Sequence, residues 1–160
     1  MMDLDFYVAA ATRAEIGGAT LGADVSQWGD VLGDDCVEDV RKSRMRRDYG
    51  LIEIFFERRA ATWRSTGFSL QIHRLALGES MVPAALPRRY GNFRSRVGFE
   101  ELHKAIQRTG SDVEELERVG EYRHYKIPKS NASIYVVYEA DTALPVAYGD
   151  VWSINTLPSL

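Results

Sequence analysis

Cysteines and long apolar runs are the features that this chain of 160 residues most clearly lacks. Its one cysteine, Cys36, cannot close an internal disulfide or build a zinc site alone, which excludes both crosslinks as the basis of the fold. No run of about 18 apolar residues occurs, and the first residues are acidic where a secretory signal would be basic. We therefore expect a cytoplasmic protein without a membrane partner, stabilised by its packing.

Recognisable catalytic motifs are lacking as well. There is no Gly-x-Ser-x-Gly elbow, no phosphate-binding loop and no His-Glu-x-x-His, and histidine occurs only three times. We therefore predict no catalytic residue, no metal site and no cofactor, and a non-enzymatic protein is favoured. The best acid–base pair that can be constructed is Glu53 with His73, which keeps a small enzyme as an alternative. A structural cross-strand pair is the favoured interpretation of these two residues.

Charge is distributed unevenly, although its total is only −3. Residues 1–40 carry −8, residues 41–96 carry +9 and residues 97–160 carry −4. Arginine clusters bind phosphates, so the basic middle block makes nucleic-acid binding an alternative function. Its candidate contacts lie in segments 41–47 and 88–96 and are Arg44, Arg46, Arg47, Arg94 and Arg96. The favoured interpretation is that the acidic first block packs against this basic block, or that the charges are solvated.

Apolar spacing and glycine stops predict three helices. The first is an alanine-rich segment from Asp5 to Ile16, with Asp5 as its cap. The inner face of the second is Val25, Trp28 and Leu32, ending at Gly33, and that of the third is Phe99, Leu102 and Ile106, ending before Gly110. A capping-box pattern at residues 111–114 predicts one more helical turn.

Alternating apolar and polar residues predict strands. Leu51 to Glu57 alternates, and Gly67 to His73 follows as its hairpin partner. A similar pattern recurs 82 residues later, from Ile134 to Glu139 and from Gly149 to Asn155, with a loop of equal length. The identities are Ile52/Ile134, Glu57/Glu139, Ala61/Ala143, Gly67/Gly149 and Ile72/Ile154. We interpret the recurrence as a duplication. Segments 41–48 and 122–127 are extended and could each add a strand.

This order of elements predicts an α+β fold with antiparallel sheet. Two tandem helix-then-β-hairpin repeats would form the sheet, with the helices packed on one face. The predicted units are residues 1–76 and 94–160, and residues 77–93 form the linker because they are rich in glycine and proline. The two units could equally pack as a single domain.

Aromatic residues on or beside the predicted strands point to a binding surface. Trp28 and Trp152 are assigned to the core, the latter because it alternates in phase with Ile154. The candidate protein-binding residues are Tyr49, Glu53, Phe55, Gln71, His73, Arg74 and Tyr135. Aromatic and arginine side chains anchor protein interfaces because they bury much area with few rotatable bonds. The alternative is that a helix or the other unit covers this face.

Several stretches of the first half carry a family resemblance. They are Leu21-Gly22, Val31-Leu32-Gly33, the run Arg47-Asp48-Tyr49-Gly50-Leu51-Ile52-Glu53-Ile54-Phe55-Phe56 and the run Gly67-Phe68-Ser69-Leu70-Gln71-Ile72-His73-Arg74-Leu75. This pattern resembles small actinobacterial immunity proteins of polymorphic toxin systems. The tandem plan of the whole chain is similar to the beta-lactamase inhibitory protein fold, in which two repeats present a concave sheet to an enzyme. The resemblance implies a non-enzymatic inhibitor that covers its partner's active site, and it transfers no individual contact residue.

The leading hypothesis is therefore a protein-binding domain of immunity or inhibitor type. Its partner would be a protein, such as a toxin or an enzyme, held on the sheet face. Nucleic-acid binding and a small Glu53/His73 enzyme are the alternatives, and exposed strand edges leave a homodimer open.

Overall fold

A computed structural model describes residues 2–139 and 145–157 of the chain, and it has an α+β fold. The helices are α1 (Asp3–Arg13), α2 (Val25–Leu32), α3 (Leu86–Tyr90) and α4 (Phe99–Arg108), and two 3-10 turns occupy Ile72–Leu77 and Glu79–Met81. The first six strands are β1 (Glu15–Ile16), β2 (Ala19–Thr20), β3 (Val37–Arg41), β4 (Arg44–Asp48), β5 (Ile52–Arg59) and β6 (Thr62–Leu70). The last four are β7 (Glu114–Val119), β8 (Tyr122–Ile127), β9 (Ala132–Val137) and β10 (Val151–Thr156).

Eight of the strands form one antiparallel sheet in the order β3-β4-β5-β6-β10-β9-β8-β7. Each half of the sheet is a meander, because consecutive strands within β3–β6 and within β7–β10 pair with one another. The two halves meet where β6 pairs with β10, through Leu70 with Ile154, Ser69 with Asn155 and Phe68 with Thr156. The predicted α+β class with antiparallel sheet is confirmed.

The core lies on one face of this sheet, as strand alternation requires. Ile52, Ile54, Phe68, Ile134 and Ile154 are buried there. The helices supply Phe6, Tyr7, Trp28, Leu32, Leu86, Tyr90, Leu102 and Ile106 to the same cluster. Buried residues of both halves therefore belong to one continuous hydrophobic core, and the segment between them contributes α3 to it. The division of the chain at residues 77–93 stays a prediction.

The second and third predicted helices, ending at Gly33 and before Gly110, are confirmed as α2 and α4. Asp24 caps α2, because its carboxylate accepts a hydrogen bond from the Gln27 amide at 2.9 Å. The first helix differs at both ends: Met2 is its N-cap, with the Asp5 carboxylate accepting from the Met2 amide, and Ala14 ends it in a left-handed conformation. The extra turn predicted at residues 111–114 is wrong, since Glu114 begins β7 and pairs with Lys126.

Both extended segments contain strands, but the predicted second-strand equivalence fails. Segment 41–48 holds the end of β3 and all of β4, and segment 122–127 is β8. Ile72 follows β6 in a 3-10 turn, whereas Ile154 lies within β10 and pairs with Ile134. The residue that pairs with Ile52 is Leu70, so a constant offset of 82 does not hold. The predicted equal loop of the second half covers residues 140–148, and its residues 140–144, with Ala143 among them, lie outside the described residues.

Candidate functional site

The sheet face opposite the core carries polar and aromatic side chains that lie outside the hydrophobic core cluster, and we call it the open face. Its members, placed by strand alternation and contacts, are Glu53, Phe55, Ser69, Gln71, Tyr122, His124, Ser133, Tyr135, Trp152, Ser153 and Asn155. Phe55, Tyr135 and Trp152 are intermediate in exposure, and none of them belongs to the core cluster or packs against it. The helices instead bury their apolar residues on the core side of the sheet. The open face is thus a surface of the described chain.

Trp152 is the largest side chain at the centre of this face. Its assignment to the core is wrong, because a β-bulge between Val151 and Ser153 shifts the alternation of β10. The imidazole of His73 stacks on its indole, with the ring centroids 3.9 Å apart and the planes 4° apart. The ring of Tyr122, on β8 of the same half, lies 5.2 Å from the indole and is tilted by 43°. Three aromatic side chains from distant segments therefore form one platform.

A second aromatic pair lies next to this platform. His124 on β8 and Tyr135 on β9 are directly opposite in the register, and their rings stack at 4.6 Å. His124 also hydrogen-bonds to the Ser133 hydroxyl through Nε2 at 3.0 Å. Burial lowers the pKa of His124, and nearby Lys126 lowers it further. The imidazole is thus held neutral at neutral pH beside the Tyr135 ring.

A line of amides and hydroxyls joins the two halves of the sheet. Gln71 donates from Nε2 to the Ser69 hydroxyl at 2.7 Å, and Ser69 donates in turn to the Asn155 side-chain oxygen. Asn155 then donates from Nδ2 to the Ser153 hydroxyl at 3.0 Å. Because each group fixes the orientation of the next, this line presents an ordered set of polar atoms.

Four charged residues form an ion-pair network at one side of the open face. Glu53 is only 6% exposed, and its Oε1 atom accepts from Arg74 Nη2 at 3.0 Å and lies 3.7 Å from Arg46 Nη1. Arg74 also donates from Nη1 to both carboxylate oxygens of Asp48, at 3.1 and 3.3 Å, and to the Gly50 carbonyl at 3.0 Å. The buried carboxylate of Glu53 is thereby compensated by two guanidinium groups.

His73 and Glu53 do not form the predicted cross-strand pair. His73 lies in the 3-10 turn that follows β6, and its Nδ1 donates to the Trp152 carbonyl at 3.2 Å. Burial lowers the pKa of His73 below its usual range, and the positive charge of Arg74 adds to this effect. In the predicted acid–base pair, His73 therefore stacks on Trp152, whereas Glu53 accepts a hydrogen bond from Arg74.

Tyr49 lies on the core side and not on the open face. It is 6% exposed, and its hydroxyl donates to the Gly33 carbonyl at 2.9 Å and accepts from Arg47 at 3.3 Å. Arg47 also donates to Glu38 at 2.7 Å and lies 3.8 Å from Asp34. Tyr49 and Arg47 therefore connect the end of α2 to β4, and the structure places Tyr49 away from the other predicted protein-binding residues.

The other arginines of the nucleic-acid alternative are mostly paired within the chain. Arg94 donates to Asp3 at 3.0 Å and to Glu101 at 3.0 Å, and Arg96 donates to Asp150 at 2.7 Å. The pairing of Asp3 with Arg94, like that of Glu38 with Arg47, brings the acidic first block against the basic middle block. The guanidinium of Arg44 is exposed and makes no ion pair within the described residues.

A cavity of about 530 Å³ lies away from the open face. It is lined by Leu75, Val82, Phe93 and Arg94 among others. The Arg94 guanidinium is already bound to the carboxylates of Asp3 and Glu101. Within residues 2–139 and 145–157, no three or more metal-ligating side chains are grouped to hold an ion. Over the same two ranges, no helix has both the length and the apolar character required to cross a bilayer.

Comparison with protein-family models, with curated proteins and with solved structures finds no match to this chain in any of the three.

Of the predicted protein-binding residues, Glu53, Phe55, Gln71, His73, Arg74 and Tyr135 come together on or beside the open face. The residues that sequence reasoning missed are Trp152, Tyr122, His124 and Asn155. The alternation of β8 could have placed Tyr122 and His124 on this face. They lie opposite Val137 and Tyr135, which are two residues apart on β9 and therefore point to the same side of the sheet. No local pattern marks the bulge that turns Trp152 outward.

Proposed function

We propose that this chain is a non-enzymatic protein-binding domain of immunity or inhibitor type. It would bind a partner protein on the open face and neutralise it by covering the partner's functional site. The observation that carries the proposal is the platform of His73, Trp152 and Tyr122, which lies outside the core on an uncovered part of the sheet. Large aromatic side chains at the centre of a surface are the usual anchors of tight protein interfaces.

The rigidity of this platform supports the proposal. Trp152 contacts the parallel His73 ring and the tilted Tyr122 ring, and the His73 ring is itself fixed by its hydrogen bond to the Trp152 carbonyl. A side chain that is already fixed loses little conformational freedom on binding, which favours high affinity.

The polar part of the open face suits a protein partner as well. The line from Gln71 to Ser153 offers ordered hydrogen-bonding groups next to the aromatic platform. Phe55 on β5 lies directly opposite Gly67 of β6 and adds a second apolar contact to the open face. Apolar anchors among satisfied polar groups are the composition expected of a specific interface.

We further propose that the two halves of the sheet are tandem repeats. In support, each half is a four-strand meander preceded by an amphipathic helix, α2 in the first and α4 in the second. Ile52 and Ile134 are also equivalent in register, since each pairs with an apolar residue of the inner strand of its half. In this arrangement residues of both repeats form the open face, and the residues that the two repeats contribute to it differ in sequence.

The direct test is affinity capture from a lysate of the source organism, with nuclease treatment. The baits are the tagged wild-type chain, Trp152→Ala and the control Tyr148→Ala, which removes an exposed aromatic side chain that is not a member of the open face. We expect wild type and Tyr148→Ala to retain one protein in a one-to-one ratio. Trp152→Ala should weaken the complex by about tenfold or more, the usual effect of losing an interface anchor.

Inhibition is then measured by titrating the captured protein's activity with wild type and with Trp152→Ala. Circular dichroism and thermal unfolding must show that all baits are folded. Nuclease-sensitive material, or equal capture by Trp152→Ala and wild type, would contradict the proposal.

A further inference from the structure

Seven exposed cations gather at one end of the first half-sheet, where the β3–β4 and β5–β6 turns lie side by side. We call this region, residues 39–46 and 57–64, the arginine corner. Its cations are Arg41, Lys42, Arg44, Arg46, Arg58, Arg59 and Arg64, all of them exposed. It holds only two acids, Asp39 and Glu57, so its formal charge is +5. The whole chain carries −3, which leaves −8 for the remaining residues.

The strand register places these charges next to one another. Arg41 lies opposite Arg44, Arg44 lies opposite Glu57, and Glu57 lies opposite Arg64, on strands that are about 4.8 Å apart. The Arg58 amide donates to the Ser43 carbonyl at 2.8 Å, which joins the two turns directly. So many like charges at this spacing create a strong local positive potential.

Some of these cations are compensated within the chain and others are not. Asp39 lies 3.5 Å from Arg41 and Glu57 lies 3.2 Å from Arg59. Lys42 and Arg44 take part in no ion pair and no side-chain hydrogen bond in the part of the chain that the structure describes. Their charges are consequently available to a ligand.

The corner is continuous with the open face. Arg46 lies directly opposite Phe55, and by strand alternation Arg41, Arg44 and Arg46 project on the same side of the sheet as Phe55. A partner that covers Phe55 and the aromatic platform therefore extends over these arginines.

We propose that the arginine corner receives an acidic segment of the partner protein and steers that protein onto the open face. This inference rests on the proposed function and adds the charge of the partner. The separation of +5 at the corner from −8 elsewhere orients an approaching acidic surface, and such steering raises association rates about 10-fold or more.

Three features favour a protein segment over nucleic acid. The −8 on the remaining chain repels an extended polyanion beyond the corner. Asp39 and Glu57 stand between the cations, where a continuous phosphate backbone would meet them. Trp63, the aromatic residue of the corner, already has the Arg58 guanidinium 5.7 Å from its ring centroid, so it is not a vacant platform for a base.

The test uses a fluorescent hexaglutamate peptide and a thymidine oligonucleotide of equal charge as probes, with binding to the full chain followed by anisotropy. The corner variant is Lys42→Gln with Arg44→Gln and Arg58→Gln. Its matched control, Lys104→Gln with Arg108→Gln and Lys129→Gln, removes the same charge from exposed residues elsewhere. In about 20 mM salt, where screening is weak, we expect the corner variant to bind hexaglutamate about tenfold or more weakly and the control about as well as wild type.

Three results would overturn the inference. The first is that wild type does not bind hexaglutamate, and the second is that both triple variants lose binding equally. The third is that the oligonucleotide binds to wild type more tightly than the peptide does. The last of these would assign the corner to nucleic acid.

Trp152→Ala separates this inference from the proposed function. It lies outside the corner, so it should bind hexaglutamate like wild type while losing the captured partner. If Trp152→Ala keeps the partner but the corner variant loses hexaglutamate, the open-face proposal and the steering onto that face are wrong, whereas the corner still binds an acidic segment. If Trp152→Ala loses the partner but the corner variant associates with it at the wild-type rate, the corner inference is wrong and the open-face proposal stands.

Discussion

The imidazole of His73 and the indole of Trp152 lie parallel, with centroids 3.9 Å apart, although 79 residues separate them in the chain. His73 comes from the turn after β6 and Trp152 from the bulge of β10, so the stack spans the junction between the two halves of the sheet. The most prominent feature of the open face therefore depends on the pairing of β6 with β10.

The lowered pKa of His73 predicts that stability falls in mild acid. Burial is its main cause, the Arg74 charge adds to it, and the bond to the Trp152 carbonyl and the Glu53 charge oppose it. The unfolded chain then binds a proton at a higher pH than the folded chain, so the stabilisation is complete above about pH 6.5 and is lost as pH falls toward the folded pKa. Urea unfolding at about pH 7.5 and about pH 5 should show a smaller decrease for His73→Gln than for wild type.

His124→Gln provides a second measurement, because the pKa of His124 is also lowered by burial. The double variant should show the smallest decrease of the four proteins. An NMR titration of His73 with its midpoint above about pH 6.5 would contradict the prediction.

Glu53→Gln should destabilise the chain, because it leaves Arg74 and Arg46 without their shared carboxylate. Asp48 still binds Arg74, so the expected loss is about 1–3 kcal/mol in the free energy of urea unfolding. Glu57→Gln is the control: its ion pair with Arg59 is at the surface and should contribute less than about 0.5 kcal/mol. Equal effects of the two variants would show that the network does not stabilise the fold.

Tyr49→Phe distinguishes a structural role from a binding role. Removing the hydroxyl deletes its bond to the Gly33 carbonyl and the acceptor for Arg47, and this should cost about 1 kcal/mol of stability. Because Tyr49 is buried on the core side, capture of the partner should equal that of wild type. A loss of partner binding without a loss of stability would show that Tyr49 contacts the partner.

Gly50→Ala tests the turn that holds the ion-pair network. Gly50 has a φ of +96°, and a Cβ there would lie 2.7 Å from the Met81 carbonyl oxygen. Gly110→Ala is the matched control, since Gly110 also has a positive φ of +81° but has open space around the added atom. The control should cost about 1 kcal/mol, and Gly50→Ala at least about 1 kcal/mol more, because the Met81 backbone must move. Thermal or urea unfolding that gives the two variants equal stability would contradict this.

Local signals in the sequence determined most of the secondary structure. The spacing of Val25, Trp28 and Leu32 and the glycine that follows predict α2, since a helix buries one stripe and glycine readily ends it. The alternation in segment 51–57 places Ile52 and Ile54 inside and Glu53 and Phe55 on the other face, as the structure has them. These features depend on neighbours within a few residues, which is why they can be predicted.

The tertiary structure alone decided which residues form the open face. A bulge adds one residue to β10 and turns Trp152 away from the core, and no nearby residue marks it. The arginines of the middle block are alike in sequence, yet Arg47 and Arg94 meet carboxylates from the first block while Arg44 stays exposed. These outcomes are set by contacts between segments far apart in the chain, and such contacts exist only after the strands have paired.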